Sequence, residues 1–345
     1  MDLSSNLEDL AIPLIRGADC GKEIDEMIKD LEPCKTLEGH TSVVLCLIVA
    51  GKYLASGSFD KTVRLWEIET KTQKQVLRGH TGMVYCLEMV GRYLASGSED
   101  KTIRLWDLQS MKTVAVLEGH TEFVACLKLV GNYLVSGSVD TTIRLWNTET
   151  MQEEGVLKGH ESAVSCLAEV DGYLASGSWD ESVKLWNLQT GCEEVTFKGH
   201  TGWVFSLAVA GGYLASGSSD CTIRVWNVQT KRAEGVLEGH FGSVFCLTHL
   251  SDYYLASGSL DTTIRVWNVQ EMKEEVAFRG YGDATVCLTK MGNYLVSGSY
   301  DNNVRLWSAG EKKNGYFGEW WSAINPVGLV FDVGSVLYRT LFKFD

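Results

Sequence analysis

The amino-acid sequence predicts an all-β fold, a seven-bladed β-propeller of four-stranded antiparallel blades, with a short N-terminal helical segment and a non-repeat C-terminal tail. Three observations support this prediction. A sequence unit recurs seven times with a period of forty residues. Apolar residues within each unit alternate with a period of two, as in strands. Glycine is abundant at 35 residues and proline rare at 3, so Gly, Asn, Asp and Ser must make the many tight turns.

The repeat is defined by three markers. A Gly-His pair opens each of the first six units, and the histidines are His40, His80, His120, His160, His200 and His240. An SGSxD turn follows, and its last residue is Asp60, Asp100, Asp140, Asp180, Asp220, Asp261 or Asp301. Six residues later comes Trp66, Trp106, Trp146, Trp186, Trp226, Trp267 or Trp307. The seventh unit has Gly280-Tyr281 instead of Gly-His, and one inserted residue near 252–254 shifts it by one position.

Each unit contains four apolar segments of strand length, which in the first unit are VVLCLIV, YLASGS, TVRLWEI and QVL. One sheet of four short strands cannot bury both of its faces. Neighbouring units must therefore stack, and a ring that closes on itself leaves only short, protected edges. The sequence thus predicts seven blades in a ring over residues 34–307, between an acidic extension (1–33) and an aromatic, apolar tail (308–345).

Charge and composition limit the functional classes. The chain has 345 residues, of which 45% are hydrophobic and 22% charged, and its net charge is −13. An acidic protein repels a phosphate backbone, so nucleic acid is not the expected partner. No run approaches eighteen apolar residues and the start lacks a secretion signal, which argues against a membrane. We expect a soluble cytoplasmic protein, with the nucleus as the alternative compartment.

The Gly-His, SGSxD and Trp spacing over 34–307 resembles the WD-repeat β-propeller family, and its pattern is closest to F-box/WD-type and related intracellular WD-repeat proteins. The usual Trp-Asp pair is mostly Trp-Asn here, with Asp at Asp107 and Glu at Glu67. The resemblance implies that residues 34–37 form an outer strand that completes the blade ending at Trp307. The two ends of the repeat region would then fasten the ring.

The resemblance also implies a hydrogen-bonded chain of four side chains in each blade, from the Trp indole to Ser, to His and to Asp. These structural tetrads are His40, Ser56, Asp60, Trp66; His80, Ser96, Asp100, Trp106; His120, Ser136, Asp140, Trp146; His160, Ser176, Asp180, Trp186; His200, Ser216, Asp220, Trp226; and His240, Ser257, Asp261, Trp267. A catalytic triad is the competing interpretation. It is disfavoured because a nucleophile must be unique and exposed, whereas this set occurs six times. Tyr281 would break or rebuild the seventh network.

Two further recurring positions are interpreted as structural. Six cysteines share one position, where the remaining unit has Ser206, which indicates a small buried residue and not a disulfide or metal ligand; they are Cys46, Cys86, Cys126, Cys166, Cys246 and Cys287. A basic residue lies four positions after each turn Asp. We expect these side chains to pair with acids between blades, and an anion-binding ring is the alternative. No metal site and no cofactor are expected.

In the resembled family, partners bind the face that carries the loop after Gly-His and the turn Asp, through three positions per blade. Those 21 positions hold eight aromatic residues, one charge, Glu99, and no Arg or Lys. The candidate partner-binding residues are Phe59, Met83, Tyr85, Phe123, Trp179, Trp203, Phe205, Phe245, Leu260 and Tyr300. Rigid aromatic side chains suit recognition. The alternative is that they only pack on one another across the mouth of the ring.

These positions predict a non-enzymatic interaction scaffold or adaptor, a monomer within a hetero-complex, that binds an apolar or aromatic-rich peptide or helix. Without Arg, the face is unsuited to phosphorylated peptides. Two alternatives remain open: a substrate-receptor subunit of a ubiquitin ligase, and an enzyme with a site at the channel mouth.

The two ends outside the repeats carry separate predictions. Residues 20–31 place Ile24, Met27, Ile28 and Leu31 on one helical face, and the helix either docks on the rim or binds a partner. The tail at 308–345 has three interpretations: it covers a propeller face or adds a strand, it binds a partner or a membrane, or it is an end whose partner module is absent.

Overall fold

The computed structural model describes residues 35–307, apart from residues 68, 71, 280–282 and 293. The predicted helix at 20–31, the tail at 308–345 and Tyr281 lie outside the described residues. The described chain forms seven four-stranded antiparallel sheets. The predicted seven-bladed propeller is therefore confirmed. No helix that could span a membrane occurs in this part of the chain.

Every blade has the same order of strands from the inside of the ring outward. The innermost strands are β2 (Val44–Ala50), β6 (Val84–Val90), β10 (Val124–Val130), β14 (Val164–Val170), β18 (Val204–Ala210), β22 (Val244–Ser251) and β26 (Thr285–Met291). The second strands are β3 (Tyr53–Ser58), β7 (Tyr93–Ser98), β11 (Tyr133–Ser138), β15 (Tyr173–Ser178), β19 (Tyr213–Ser218), β23 (Tyr254–Ser259) and β27 (Tyr294–Ser299). The third strands are β4 (Val63–Glu67), β8 (Ile103–Asp107), β12 (Ile143–Asn147), β16 (Val183–Asn187), β20 (Ile223–Asn227), β24 (Thr263–Asn268) and β28 (Val304–Trp307). The outermost strands are β5 (Thr72–Leu77), β9 (Lys112–Leu117), β13 (Glu153–Leu157), β17 (Cys192–Phe197), β21 (Arg232–Leu237), β25 (Lys273–Arg279) and, in blade 7, β1 (Lys35–Leu37).

The ring closes through both ends of the repeat region. Each innermost strand contacts the innermost strands of both neighbouring blades, and β26 contacts β2. The strand β1 pairs antiparallel with β28, with Lys35 opposite Leu306 and Leu37 opposite Val304. The first described strand thus completes the last blade, as the family resemblance implied.

The hydrophobic core lies between the blades. One cluster joins Ile103 and Leu105 of blade 2 to Val124, Leu134 and Trp146 of blade 3, and the other clusters repeat this arrangement around the ring. The blades approach closely at the glycine of each SGS turn. A Cβ atom at Gly97 would lie 2.5 Å from Cys86 Sγ and 2.7 Å from Val124 Cγ1, so only glycine fits there.

The six recurring cysteines are free and lie at this inter-blade contact. Five of them direct the thiol at a backbone carbonyl of the next blade, as Cys126 does to Val164 O at 3.6 Å and Cys287 to Val44 O at 3.6 Å. Burial raises the pKa of these thiols, for Cys287 to about 12. Their position is that of small buried residues with a weak interaction across the blade boundary.

The expectation that the recurring basic residues pair with acids between blades is wrong. Lys184 Nζ lies 2.8 Å from Glu193 Oε2, and Arg144 pairs with Glu153, in both cases within one blade. In these two blades the basic residue is on the third strand and the acid on the adjacent outermost strand, whereas in blade 7 Arg305 pairs with the turn Asp301. Ion pairs between blades use other lysines, such as Lys231 with Glu194 of the preceding blade at 3.1 Å.

Candidate functional site

The loops at one end of the ring, here called the top face, are held by the four recurring polar side chains. In blade 1, His40 Nδ1 lies 2.7 Å from Asp60 Oδ2 and His40 Nε2 lies 2.7 Å from Ser56 Oγ. The indole Nε1 of Trp66 donates to Ser56 Oγ at 2.8 Å. A carboxylate only accepts, so His40 Nδ1 donates to Asp60, and Nε2 is left to accept from the serine hydroxyl. Each of these donor and acceptor atoms then has a hydrogen-bond partner.

The same hydrogen-bonded network occurs in the other five Gly-His blades with nearly identical distances. In blade 3, for example, His120 lies 2.8 Å from Asp140 and 2.7 Å from Ser136. These serines are fully buried and each accepts a hydrogen bond from tryptophan. A serine in that position cannot reach a substrate. The geometry is that of a structural network.

Blade 7 differs at its turn Asp. Trp307 Nε1 still donates to Ser297 Oγ at 2.8 Å, but Asp301 is bound by the guanidinium of Arg305, which donates from Nη1 at 3.0 Å and also from Nη2. Position 281, where the other blades have histidine, lies outside the described residues. Asp301 thus pairs with a basic residue four positions later in the sequence, on the strand β28.

The turn Asp is the centre of each top loop. Asp60 accepts hydrogen bonds from the backbone N–H of Thr41 and Thr62 and from the Thr62 hydroxyl. Burial alone would raise the pKa of Asp60, but the hydrogen bonds from His40 and Thr62 and the attraction of His40 outweigh it and hold the pKa far below its usual value. Burial and the hydrogen bonds oppose each other in the other five Gly-His blades as well, and the pKa of the turn Asp is shifted in the same direction there. The carboxylate thus ties the Gly-His loop to the SGSxD turn.

This frame fixes the three candidate binding positions of every blade. The backbone N–H of the residue before the Asp donates to the carbonyl three residues after the His, as Trp179 does to Ala163 O at 3.0 Å and Ser219 to Trp203 O at 2.9 Å. The position five residues after the His is the extra residue of a β-bulge at the top of the innermost strand, for example Phe205 between Val204 and Ser206. Bulges re-aim side chains. All three positions therefore share one end of each blade.

The aromatic candidates form two groups of contacting rings. The long arc runs through Trp179, Trp203, Phe205, Phe245 and Tyr300, with Trp179 and Trp203 stacked at 4.8 Å between ring centroids and Phe205 5.4 Å from Phe245.

The short arc consists of Phe59, Tyr85 and Phe123, with Tyr85 stacked on Phe123 at 6.0 Å. Burial raises the pKa of Tyr85, and the charges of Glu99 and Tyr300 add to that shift. Met83 belongs to this group through Tyr85, whose hydroxyl donates to Met83 Sδ at 3.8 Å.

The arcs pack on one another and are still open to solvent. Trp203 is 49% exposed, Leu260 41% and Tyr300 40%, and the other seven candidates are half-buried. The Trp179 indole Nε1 is buried under this packing and has no hydrogen-bond acceptor within the described chain. An unpartnered buried donor costs about 1–3 kcal/mol. The stacked pair of Trp179 and Trp203 thus contains one buried donor that has no acceptor in the described structure.

One exposed aromatic residue on this face was missed in the sequence analysis. Phe241 is 69% exposed, and its backbone N–H donates to Asp261 Oδ2 at 2.9 Å, which places it beside the top of blade 6. Other units have Thr or Glu directly after the histidine. The sequence signal for Phe241 is a phenylalanine at a position where the other Gly-His units have a polar residue.

The single charge among the 21 positions is held within its own loop. Glu99 Oε2 accepts from the backbone N–H of Met83 at 3.1 Å. No cluster of His, Cys, Asp or Glu suited to a metal ion occurs among the described residues. The face is therefore apolar and aromatic, with exposed rings that can bind another apolar surface.

Comparison with known families gives two matches that together extend across the whole propeller. Residues 14–204 match the family described as TEP-1 second beta-propeller, and residues 191–227, 231–268 and 274–308 match the WD domain, G-beta repeat. The chain belongs to the WD-repeat family. In WD-repeat proteins the propeller serves in general as a protein-interaction scaffold and is typically non-catalytic.

Two individual proteins match short stretches of the chain. The chain is 45% identical over 49 residues to Ribosome biogenesis protein BOP1 homolog of Anopheles gambiae, covering 12% of this chain and 6% of that protein. It is 49% identical over 35 residues to Zinc finger CCCH domain-containing protein 62 of Arabidopsis thaliana, covering 10% of this chain and 8% of that protein. The chain thus spans less than a tenth of either relative.

Proposed function

We propose that this WD-repeat protein is a non-enzymatic adaptor whose top face binds an apolar or aromatic-rich peptide or helix of a partner protein. The observation that carries the proposal is the long arc, in which five aromatic side chains from four blades form one contacting row. Trp203 and Tyr300 in this row stay exposed. Clustered aromatic residues dominate the binding energy of protein interfaces because they bury a large area at a low cost in side-chain entropy.

The Trp179–Trp203 pair is the expected centre of this site. The stack leaves the Trp179 indole N–H without an acceptor. A partner that shifts Trp203 and offers a carbonyl oxygen would supply that acceptor and cover the exposed ring. The lack of Arg and Lys at the 21 positions favours a partner without phosphate groups. We place the adaptor in the cytoplasm, with the nucleus as the alternative.

A peptide library tests the partner chemistry directly. We expect random twelve-residue peptides selected on the folded protein to be enriched in Trp, Phe and Leu, and their binding to weaken at least tenfold in the Trp179→Ala/Trp203→Ala double variant. Tyr253→Ala is the matched control, because Tyr253 is exposed in the hairpin between β22 and β23 at the opposite end of the blade. Acidic or phosphate-dependent peptides, or equal binding by the double variant, would contradict the proposal.

Purification of the wild-type protein from cells distinguishes the two other functions. A cullin or RING component that co-purifies with it would favour the substrate-receptor function in a ubiquitin ligase. An enzymatic function would be favoured if the protein turns over a substrate and a single polar substitution at the channel mouth abolishes that turnover.

A further inference from the structure

The outermost strand of blade 2 differs from the other outermost strands in its side chains. Val114 and Val116 of β9 are 51% and 40% exposed, and the strand reads KTVAVL. The position of Val114 holds a charged residue in blades 1 and 3 to 6, where it is Lys74, Glu154, Glu194, Glu234 and Glu275. Charged side chains on an edge strand are the usual device that prevents it from pairing with another chain. The outermost strand of blade 2 has no charged side chain at this position.

The edge of β9 is open. In blade 2 the strand order is β6-β7-β8-β9, and among the described residues no strand lies beyond β9. Its outer backbone groups thus have no strand partner in this part of the chain. A bulge at Val114, between the pairs Leu105–Ala115 and Trp106–Thr113, is shared with the other blades and limits the regular pairing to a short segment.

The sequence of β9 with the residue that follows it, KTVAVLE, is complementary to itself in the antiparallel direction. When two copies are centred on Ala115, Lys112 of one lies opposite Glu118 of the other at both ends, and Val114 lies opposite Val116. Lys112, Val114, Val116 and Glu118 are all exposed, and neither charged residue makes an ion pair within the described residues. Opposite charges and paired valines across strands are favourable.

The other outermost strands fail the same comparison, which makes them internal controls. In β25 the ends would place Lys273 opposite Arg279, two like charges. In β21 the ends would match, as Arg232 with Glu238, but Glu234 and Gly235 occupy the centre. Only β9 combines complementary ends with an apolar centre.

We propose that β9 pairs antiparallel with β9 of a second copy of this chain, which forms a two-fold dimer through one continuous eight-stranded sheet. This departs from the monomer expected from the sequence. Pairing spans at most seven residues per copy and is interrupted by the bulge at Val114, so the interface is small and the dimer is weak and transient. The antiparallel direction places the two rings side by side with their top faces pointing opposite ways.

Sedimentation velocity of the full chain, from about 5 µM to about 500 µM, tests the dimer in a range suited to a small interface. We expect a concentration-dependent dimer for the wild type. Val114→Glu should weaken it at least tenfold, and this change should not disturb folding because blades 3 to 6 carry glutamate at that position. Val236→Glu in blade 5 is the matched control and should leave the dimer unchanged. Trp179→Ala/Trp203→Ala should also dimerise normally, which separates this contact from the top face.

Charge reversal tests the register. Lys112→Glu and Glu118→Lys should each weaken the dimer about tenfold, because both end pairs become like-charged. The double variant should restore it to within about twofold, and a mixture of the two single variants should form a mixed dimer. A wild type that stays monomeric, equal effects of Val114→Glu and Val236→Glu, or single reversals without effect would each overturn the proposal.

Discussion

The buried serine of the polar network offers a direct measure of what that network contributes to stability. Ser136 is fully buried, accepts from Trp146 Nε1 at 2.8 Å and donates to His120 Nε2 at 2.7 Å. Ser136→Ala removes both bonds and leaves an indole N–H and an imidazole nitrogen unpartnered. Each such group costs about 1–3 kcal/mol, so the free energy of unfolding should fall by about 2–6 kcal/mol.

The control is the same substitution at a buried serine whose hydroxyl has no partner. Ser206 Oγ is buried without a hydrogen bond in the described structure, so Ser206→Ala should leave the stability unchanged or raise it slightly. At about 2 °C per kcal/mol for a large domain, Ser136→Ala should lower the Tm in scanning calorimetry by roughly 4–12 °C. If the two variants melt within a degree of each other, the network does not stabilise the blade as described.

Two further predictions concern titration and thiol reactivity. The turn Asp side chains of the six Gly-His blades have depressed pKa values in the folded state, so they contribute stability above the unfolded value of about 4 and lose it as the pH falls further. The Tm should therefore fall between pH 5 and pH 2, and Asp140→Asn should reduce this dependence; a flat profile would contradict it. At pH 8, mass spectrometry after iodoacetamide treatment should show that, among the described cysteines, the exposed Cys192 is alkylated first and the half-buried Cys221 more slowly. Buried thiols such as Cys126 should react only after unfolding, and early alkylation of Cys126 would refute the packing.

Most of the fold was predictable because its constraints repeat. A forty-residue period, strand-like alternation and seven turn Asp residues specify a blade, and seven thin blades have to close into a ring. The pairing of Lys35–Leu37 with the last blade follows from the same logic, since the seventh unit supplies only three strands. The chain that links Trp66, Ser56, His40 and Asp60 was implied by the family resemblance and has the expected geometry.

The contacts that could not be predicted depend on small differences in loop and strand placement. Arg144 and Lys184 pair with an acid on the adjacent outermost strand of their own blade, and a sequence pattern does not show which acid a long side chain reaches. The 4.8 Å stack of Trp179 on Trp203 joins two different blades, and its distance depends on how those blades tilt. Phe241 lies outside the three positions per blade that the family resemblance implies for partner binding.

The closure of the ring by β1 has a consequence for synthesis on the ribosome. Its partner residues in β28 are separated from it by almost the whole described chain, and translation proceeds at about 5–20 residues per second. The partner of the first strand therefore emerges from the ribosome tens of seconds after it. During this time each new blade packs on the preceding blade. Nascent chains that stall within the last unit would carry six assembled blades and two unsealed ends, a state suited to capture by chaperones.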